Sequence, residues 1–206
     1  MYLIYQYLIL AIASFWHLLF TLREKKTMPP PGELVDLGSH KVHLWVKGAG
    51  DTTVVLDHSL GGVEGYFLID EIAKLTRVCI YDRAGYGWSE PSSKPRCSQE
   101  IVAELDLLLT KASIEPPYIL LGESFGSYNM RLYAHTFPEK VEAMILTDGL
   151  HESGMLNLPI AIAMVKYLFV SGFVMSIFGS WLGIIRIMGM TGIFELMKPQ
   201  LRKYTL

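Results

Sequence analysis

The chain has 206 residues, a formal net charge of -2, and 51% hydrophobic against 18% charged residues. That balance gives no basic field for nucleic acid. It is also more apolar than an average soluble domain, in which about a quarter of residues are charged, so part of the surface is expected to face lipid or a partner. Two cysteines make no disulfide framework: Cys79 sits in an apolar run and reads as a small buried hydrophobe, Cys97 in a polar loop.

Residues Tyr2 to Leu22 carry no formal charge, with Gln6, Ser14, His17 and Thr21 as polar interruptions. About 20 apolar residues suffice to cross a bilayer as a helix, so residues 1–22 are predicted to be a transmembrane anchor. No Lys or Arg precedes the apolar run, so the basic n-region of a cleavable signal peptide is missing. Arg23, Lys25 and Lys26 follow directly, which by the positive-inside rule puts the folded domain on the cytoplasmic side. The competing readings are an apolar helix packed on the domain and an uncleaved export signal.

Residues 23–32 form a basic, proline-rich linker ending in Met28-Pro29-Pro30-Pro31-Gly32, extended and stiff. The folded core is expected over 33–152. Leu34–Leu37 and Lys41–Lys47 read as a hairpin. Alternation within Val42-His43-Leu44-Trp45 predicts one wet face and only one of His40 and His43 turned inward, which speaks against a metal pair there. Thr52–Asp57 is a buried strand, Tyr66–Leu75 a helix, Arg77–Tyr81 a second buried strand. Ser98–Ala112 is an amphipathic helix with Ile101, Leu105, Leu108 and Leu109 on one face. Tyr118–Leu121 is an apolar strand, a helix follows to about Phe137, and Val141–Thr147 is a sixth strand. Strands alternating with helices predict an α/β fold, a mostly parallel sheet covered on both faces. Ligands in such sheets bind at the carboxyl ends of the strands, where Leu60, Trp88, Ser124 and Asp148 all fall.

The sharpest local signal is Gly122-Glu123-Ser124-Phe125-Gly126 between an apolar strand and a helix. A nucleophile elbow needs that strand, tight turn and helix, with glycines where the backbones approach closely. Two further segments lie in order before it, Asp57-His58-Ser59-Leu60-Gly61-Gly62 and Tyr81-Asp82-Arg83-Ala84-Gly85-Tyr86-Gly87-Trp88-Ser89-Glu90. Together the three resemble the α/β-hydrolase superfamily, and more narrowly its membrane-anchored branch with the Tyr-Asp-Arg-Ala-Gly-Tyr-Gly-Trp-Ser loop. The resemblance runs from about Pro31 to Glu152.

It implies acyl transfer to Ser124, with the oxyanion held by the backbone N–H groups of Leu60 and Phe125. Asp82 and Arg83 are expected to brace their own loop, and Tyr86 and Trp88 to pack beneath it. The sequence departs from the family at Ser59, where glycine is usual, at Glu123, where histidine is commoner, and at Ser127, where a second glycine often stands. In this superfamily the acid and the histidine follow the nucleophile in chain order. Beyond Ser124 only His135 and His151 remain. His135 lies far along the elbow helix. His151, supported by Asp148 or Glu152, is the alternative base. The simpler expectation is a chain lacking the last two strands and, with them, the acid and histidine.

Residues 153–206 correspond to the lid of such enzymes. Tyr167–Ile185 carries no charge and reads as an apolar helical lid over an acyl pocket, with membrane-surface contact or a second span as alternatives. The expected activity is serine hydrolysis of an ester with an apolar acyl group, the alternatives being a non-catalytic binding or scaffold protein and an incomplete fragment. No cofactor, metal or nucleic-acid partner is implied, and the expected partners are an apolar acyl ester and, through residues 1–22, a membrane.

Overall fold

Val54-Val55-Leu56, Val78-Cys79-Ile80 and Ile119-Leu120-Leu121 favour extended backbone and burial, and each forms a strand at the centre of one sheet. A computed structural model describes residues 2–62, 65–149 and 160–191. Its strands are β1 (Glu33–Asp36), β2 (Lys41–Lys47), β3 (Thr53–Asp57), β4 (Arg77–Tyr81), β5 (Tyr118–Glu123) and β6 (Val141–Thr147). They lie in the order β1-β2-β4-β3-β5-β6. β4, β3, β5 and β6 are mutually parallel, while β1 and β2 form an antiparallel ribbon joined antiparallel to β4. The α/β class is as expected, with the sheet mixed.

Because successive strand residues point to opposite faces, β3 and β4 feed two cores. Val55, Cys79, Tyr81 and Leu120 pack under helices α3 (Ser98–Lys111) and α4 (Phe125–Thr136), against Leu105, Leu108, Leu109, Met130 and Tyr133. Val54, Leu56, Val78 and Ile80 pack on the other face with Ile69 of α2 (Gly65–Ile72). Covering both faces explains why these strands read as continuous apolar runs.

Two local expectations are corrected. Val42, His43 and Leu44 are buried in succession, and His40 is buried as well. The wet face predicted for β2 is covered because the loop after β4 folds back over it: the His43 N–H donates to Ser89 Oγ at 2.8 Å, and the Trp88 ring lies 5.1 Å from the imidazole. The sixth strand, β6, forms over the residues expected and is exposed along Met144, Ile145 and Leu146.

The chain divides into two compact units, Pro30–Asn157 with the sheet, and Met1–Pro29 together with Leu158–Leu206. The second holds α1 (Tyr2–Thr27), α5 (Ile160–Trp181) and α6 (Ile184–Met190). The helix expected at the N-terminus is present and extends to Thr27. Its reading as a membrane span is not supported, for among the described residues no helix is long and apolar enough to cross a membrane. Polar residues explain part of the difference. His17, Thr21 and Glu24 recur at helical spacing along α1 and face Arg186 of α6, whose Nη2 lies 2.6 Å from Glu24 Oε2 and whose Nε lies 3.4 Å from His17 Nδ1. Hydrogen bonding to Arg186 holds the Glu24 carboxyl below its ordinary range. The segment read as a lid supplies α5 and α6 of this unit.

Candidate active site

The apolar β5 runs into Gly122 and Glu123, and the chain then turns at Ser124 with φ 47° and ψ -110° before α4 begins. A left-handed φ at a residue with a side chain costs on the order of 1–3 kcal/mol and persists only where the surroundings over-determine it. Here they do. The Ser124 N–H donates to Thr147 O of β6 at 3.1 Å, and the Ser124 carbonyl accepts the Ser127 N–H at 3.1 Å. Ser127 Oγ donates back to Gly122 O at 3.2 Å.

The two glycines are required by contact. A Cβ on Gly122 would meet Gly126 O and Ser127 Cα at 2.9 Å, and one on Gly126 would meet Asp57 O at 2.2 Å. The elbow helix is therefore pressed both against its own strand and against the end of β3, where Asp57 stands opposite Gly122 in the parallel register.

From that end of β3 the loop His58–Gly62 departs. His58 is fully buried, its Nδ1 3.0 Å from the Ser59 carbonyl. Ser59 Oγ accepts the Gly61 N–H at 3.0 Å, a tie that glycine at this position would lack. Leu60 is exposed at the loop, while Phe125 and Ser124 are half-buried.

The loop after β4 reaches further than its own turn. Arg83, 1% exposed, donates from Nη1 to Asp57 Oδ1 at 2.6 Å and to His58 O at 2.7 Å, and from Nη2 to Ser59 O at 2.6 Å. Its guanidinium lies 4.8 Å from the Tyr86 ring centre and 5.3 Å from that of Phe125. Asn129 on α4 donates to the other Asp57 oxygen at 2.6 Å. Burial works to lower the Arg83 pKa, Asp57 beside it works to raise it, and the net direction is upward. Such a buried pair adds little net stability over an apolar substitute, but removing one partner alone costs about 3–5 kcal/mol.

Asp82 does brace its own loop, as expected: Oδ2 accepts the Trp88 N–H at 3.0 Å. It also lies 3.0 Å from Nδ1 of buried His43 and accepts the Tyr66 hydroxyl at 2.8 Å. Burial raises the Asp82 carboxyl, but hydrogen bonds from His43, Trp88 and Tyr66 outweigh it and leave its pKa below the ordinary value. Tyr86 and Trp88 are packing residues, against His58 and Arg83 and against His43 and Tyr66 respectively.

Asp148 follows β6 with φ 49°, and the next residue, Gly149, sits against Ser127 of the elbow helix, so this turn adjoins the elbow. His151 and Glu152 lie outside the described residues. The other histidines of the sheet unit are engaged or remote: His40 on Glu104, His43 on Asp82 and the Pro31 carbonyl, His58 on Ser59. His135 is exposed in the last turn of α4, about 16 Å along the helix axis from Ser124 at 1.5 Å per residue. Among the described residues no group of three or more His, Cys, Asp or Glu side chains forms a metal site. Sequence reasoning missed Asp57, Asn129 and the reach of Arg83. The available signal was Asn129, a polar residue beside Met130 and Tyr133 on a helix expected to pack on the sheet.

Residues 52–187 match the family model for the alpha/beta hydrolase fold. Among curated proteins, the uncharacterized protein YbdG of Bacillus subtilis is 28% identical over 130 residues, 61% of this chain and 40% of that protein. A 1-acylglycerol-3-phosphate O-acyltransferase of Arabidopsis thaliana is 36% identical over 106 residues, 48% of this chain and 25% of the acyltransferase. The chain thus spans less than half the length of these relatives. Among solved structures, an N-acyl homoserine lactone degrading enzyme superposes with a TM-score of 0.58 at 19% identity, over 68% of this chain and 54% of that one. That likeness is one of fold.

Proposed function

The chain belongs to the alpha/beta hydrolase fold family, and on that premise we propose that it is a serine hydrolase acting on a carboxylic ester, with Ser124 as its nucleophile. The observation that carries the reading is Ser124 itself. It is held at φ 47° between β5 and α4, and two residues on, Gly126 is pressed against the end of β3 from which the His58–Gly62 loop departs.

In this reading Ser124 Oγ attacks the ester carbonyl carbon and its proton passes to a base. The carbonyl oxygen takes the negative charge, stabilised by the N–H groups of Leu60 and Phe125, each such donor being worth about 3 kcal/mol in the barrier. Collapse breaks the acyl–oxygen bond and releases the alcohol with a proton, and water then hydrolyses the acyl-enzyme. An apolar acyl group agrees with the apolar residues after β6 and with the acylglycerol and N-acyl compounds named for two of the similar proteins. His151 with Asp148 is proposed as the base on its place in the chain, directly after the strand that hydrogen-bonds Ser124.

A second reading, a binding or scaffold protein that keeps the fold without turnover, is favoured by one observation. Among the described residues no histidine is hydrogen-bonded to Ser124. A fluorophosphonate probe with an apolar chain separates the two. Labelling lost in Ser124→Ala supports the hydrolase, and its further loss in His151→Ala supports the base. A folded chain that binds the probe reversibly without labelling supports the scaffold.

A further inference from the structure

The mechanism above needs the Leu60 N–H to point at a developing charge, yet Leu60 is exposed on a loop that contains two glycines and has no regular structure. A mobile donor loses most of its value, because the benefit of an oxyanion hole is that its dipoles are fixed before the reaction. Something must hold that peptide.

The N–H of Leu60 belongs to the same planar group as the C=O of Ser59, and in a trans peptide the two point in opposite directions. Fixing one therefore aims the other. The Ser59 carbonyl is the atom that Arg83 Nη2 grips at 2.6 Å, and Nη1 grips the preceding His58 carbonyl at 2.7 Å. Both peptides are held by one rigid, planar group, itself anchored at Asp57 Oδ1. Asp57 is anchored in turn by Asn129 from the elbow helix. The guanidinium also lies 5.3 Å from the ring centre of Phe125, the residue proposed to supply the second donor.

We propose that Arg83 is a positioning residue for the oxyanion hole, holding the Ser59–Leu60 peptide from behind so that the Leu60 N–H is fixed and polarised toward the reacting oxygen. The polarisation follows from cooperativity, since a charged donor on a carbonyl strengthens the N–H of the same amide as a donor. A lysine keeps the charge but lacks the planar fork, so it cannot hold Asp57 and both carbonyls in the same geometry. The inference rests on the serine-hydrolase reading.

The test uses the full chain with Arg83 as wild type, Arg83→Lys and Arg83→Met, near-ultraviolet circular dichroism reporting whether each variant is folded. Two readouts follow. The first is the rate of fluorophosphonate labelling at Ser124 and the ³¹P resonance of the adduct, in which a P–O bond to Oγ replaces P–F and the phosphoryl oxygen occupies the oxyanion position. The second is hydrogen exchange at the Leu60 amide. In folded Arg83→Lys we expect labelling slowed tenfold or more, a displaced ³¹P resonance, and faster exchange at Leu60.

Wild-type labelling rate and an unmoved resonance in folded Arg83→Lys overturn the role of Arg83 and leave the hydrolase reading intact. A wild-type chain that is folded yet never labelled overturns the hydrolase reading. In that case unchanged exchange at Leu60 in the variant overturns the peptide clamp as well, and faster exchange retains it as a property of the loop. If both variants unfold, Asn129→Asp takes their place, loosening the anchor of Arg83 at Asp57 with the same expected and overturning results.

Discussion

Asn129 on the elbow helix donates to Asp57 Oδ2 at 2.6 Å, so the helix behind the candidate nucleophile and the strand before the oxyanion loop share one buried carboxylate. Truncating Asn129 to alanine removes the amide donor from one oxygen of that buried carboxylate, a loss of about 1–3 kcal/mol. Urea denaturation should show a lower midpoint with an unchanged slope. A midpoint equal to wild type would mean that water replaces the amide without cost.

Ser124 supplies a second expectation. Its left-handed φ of 47° is a strain glycine does not carry, so Ser124→Gly should stabilise the chain by about 1 kcal/mol while abolishing probe labelling. Ser124→Ala abolishes labelling too but keeps the strain. The comparison of thermal midpoints between the two variants is the measurement, and equal midpoints would contradict the strained-elbow account.

Asp82 makes stability depend on acid. Its carboxyl titrates below the ordinary value of 3.8 in the folded chain. The unfolded state therefore takes up its proton first as pH falls. The contribution of Asp82 is fully present above the ordinary carboxylate range and is lost as pH drops through the native value. Asp82→Asn should be less stable than wild type at neutral pH, with the gap closing under strongly acidic conditions. Stability curves that run parallel across the acid range would remove Asp82 as the source.

The cysteines should react very differently. Cys97 is exposed, whereas Cys79 lies inside the sheet, where burial pushes its thiol up to about 12. Titration with a thiol-specific disulfide reagent should count one group in the native chain and a second only after denaturation. Two fast-reacting thiols without denaturant would mean that the sheet opens readily around β4.

The sheet was legible because its strands are set by local composition. Lys41–Lys47, marked by alternation, and Arg77–Tyr81 and Val141–Thr147, marked by apolar content, form strands over the very residues expected. The elbow was legible because turn chemistry leaves a trace in spacing, and Gly122 and Gly126 are contacts that only glycine satisfies. What escaped depends on partners far away in sequence. Arg83 meets carbonyls 24 and 25 residues earlier, and nothing in the Tyr81–Glu90 motif shows that the side chain leaves its own loop. The wet face assigned to β2 vanished under a loop that begins at Asp82. The apolar run near the N-terminus suggested a bilayer span by its length and lack of charge, yet among the described residues no helix is long and apolar enough to cross a membrane. The ion pair of Glu24 with Arg186 joins residues 162 apart.

The contact between Gly126 and Asp57 has one more consequence. With room for a hydrogen and nothing larger between Gly126 and Asp57 O, the start of the elbow helix and the end of β3 cannot move toward each other without a clash. A shift of β3 brought about by repacking around Val55 or Leu56 is then expected to reach Ser124 through Gly126, because close-packed interiors transmit strain. Substitutions deep in the sheet, far from any substrate, then belong to the same genetic map as substitutions in the site. A screen that scores reactivity at Ser124 will recover them together.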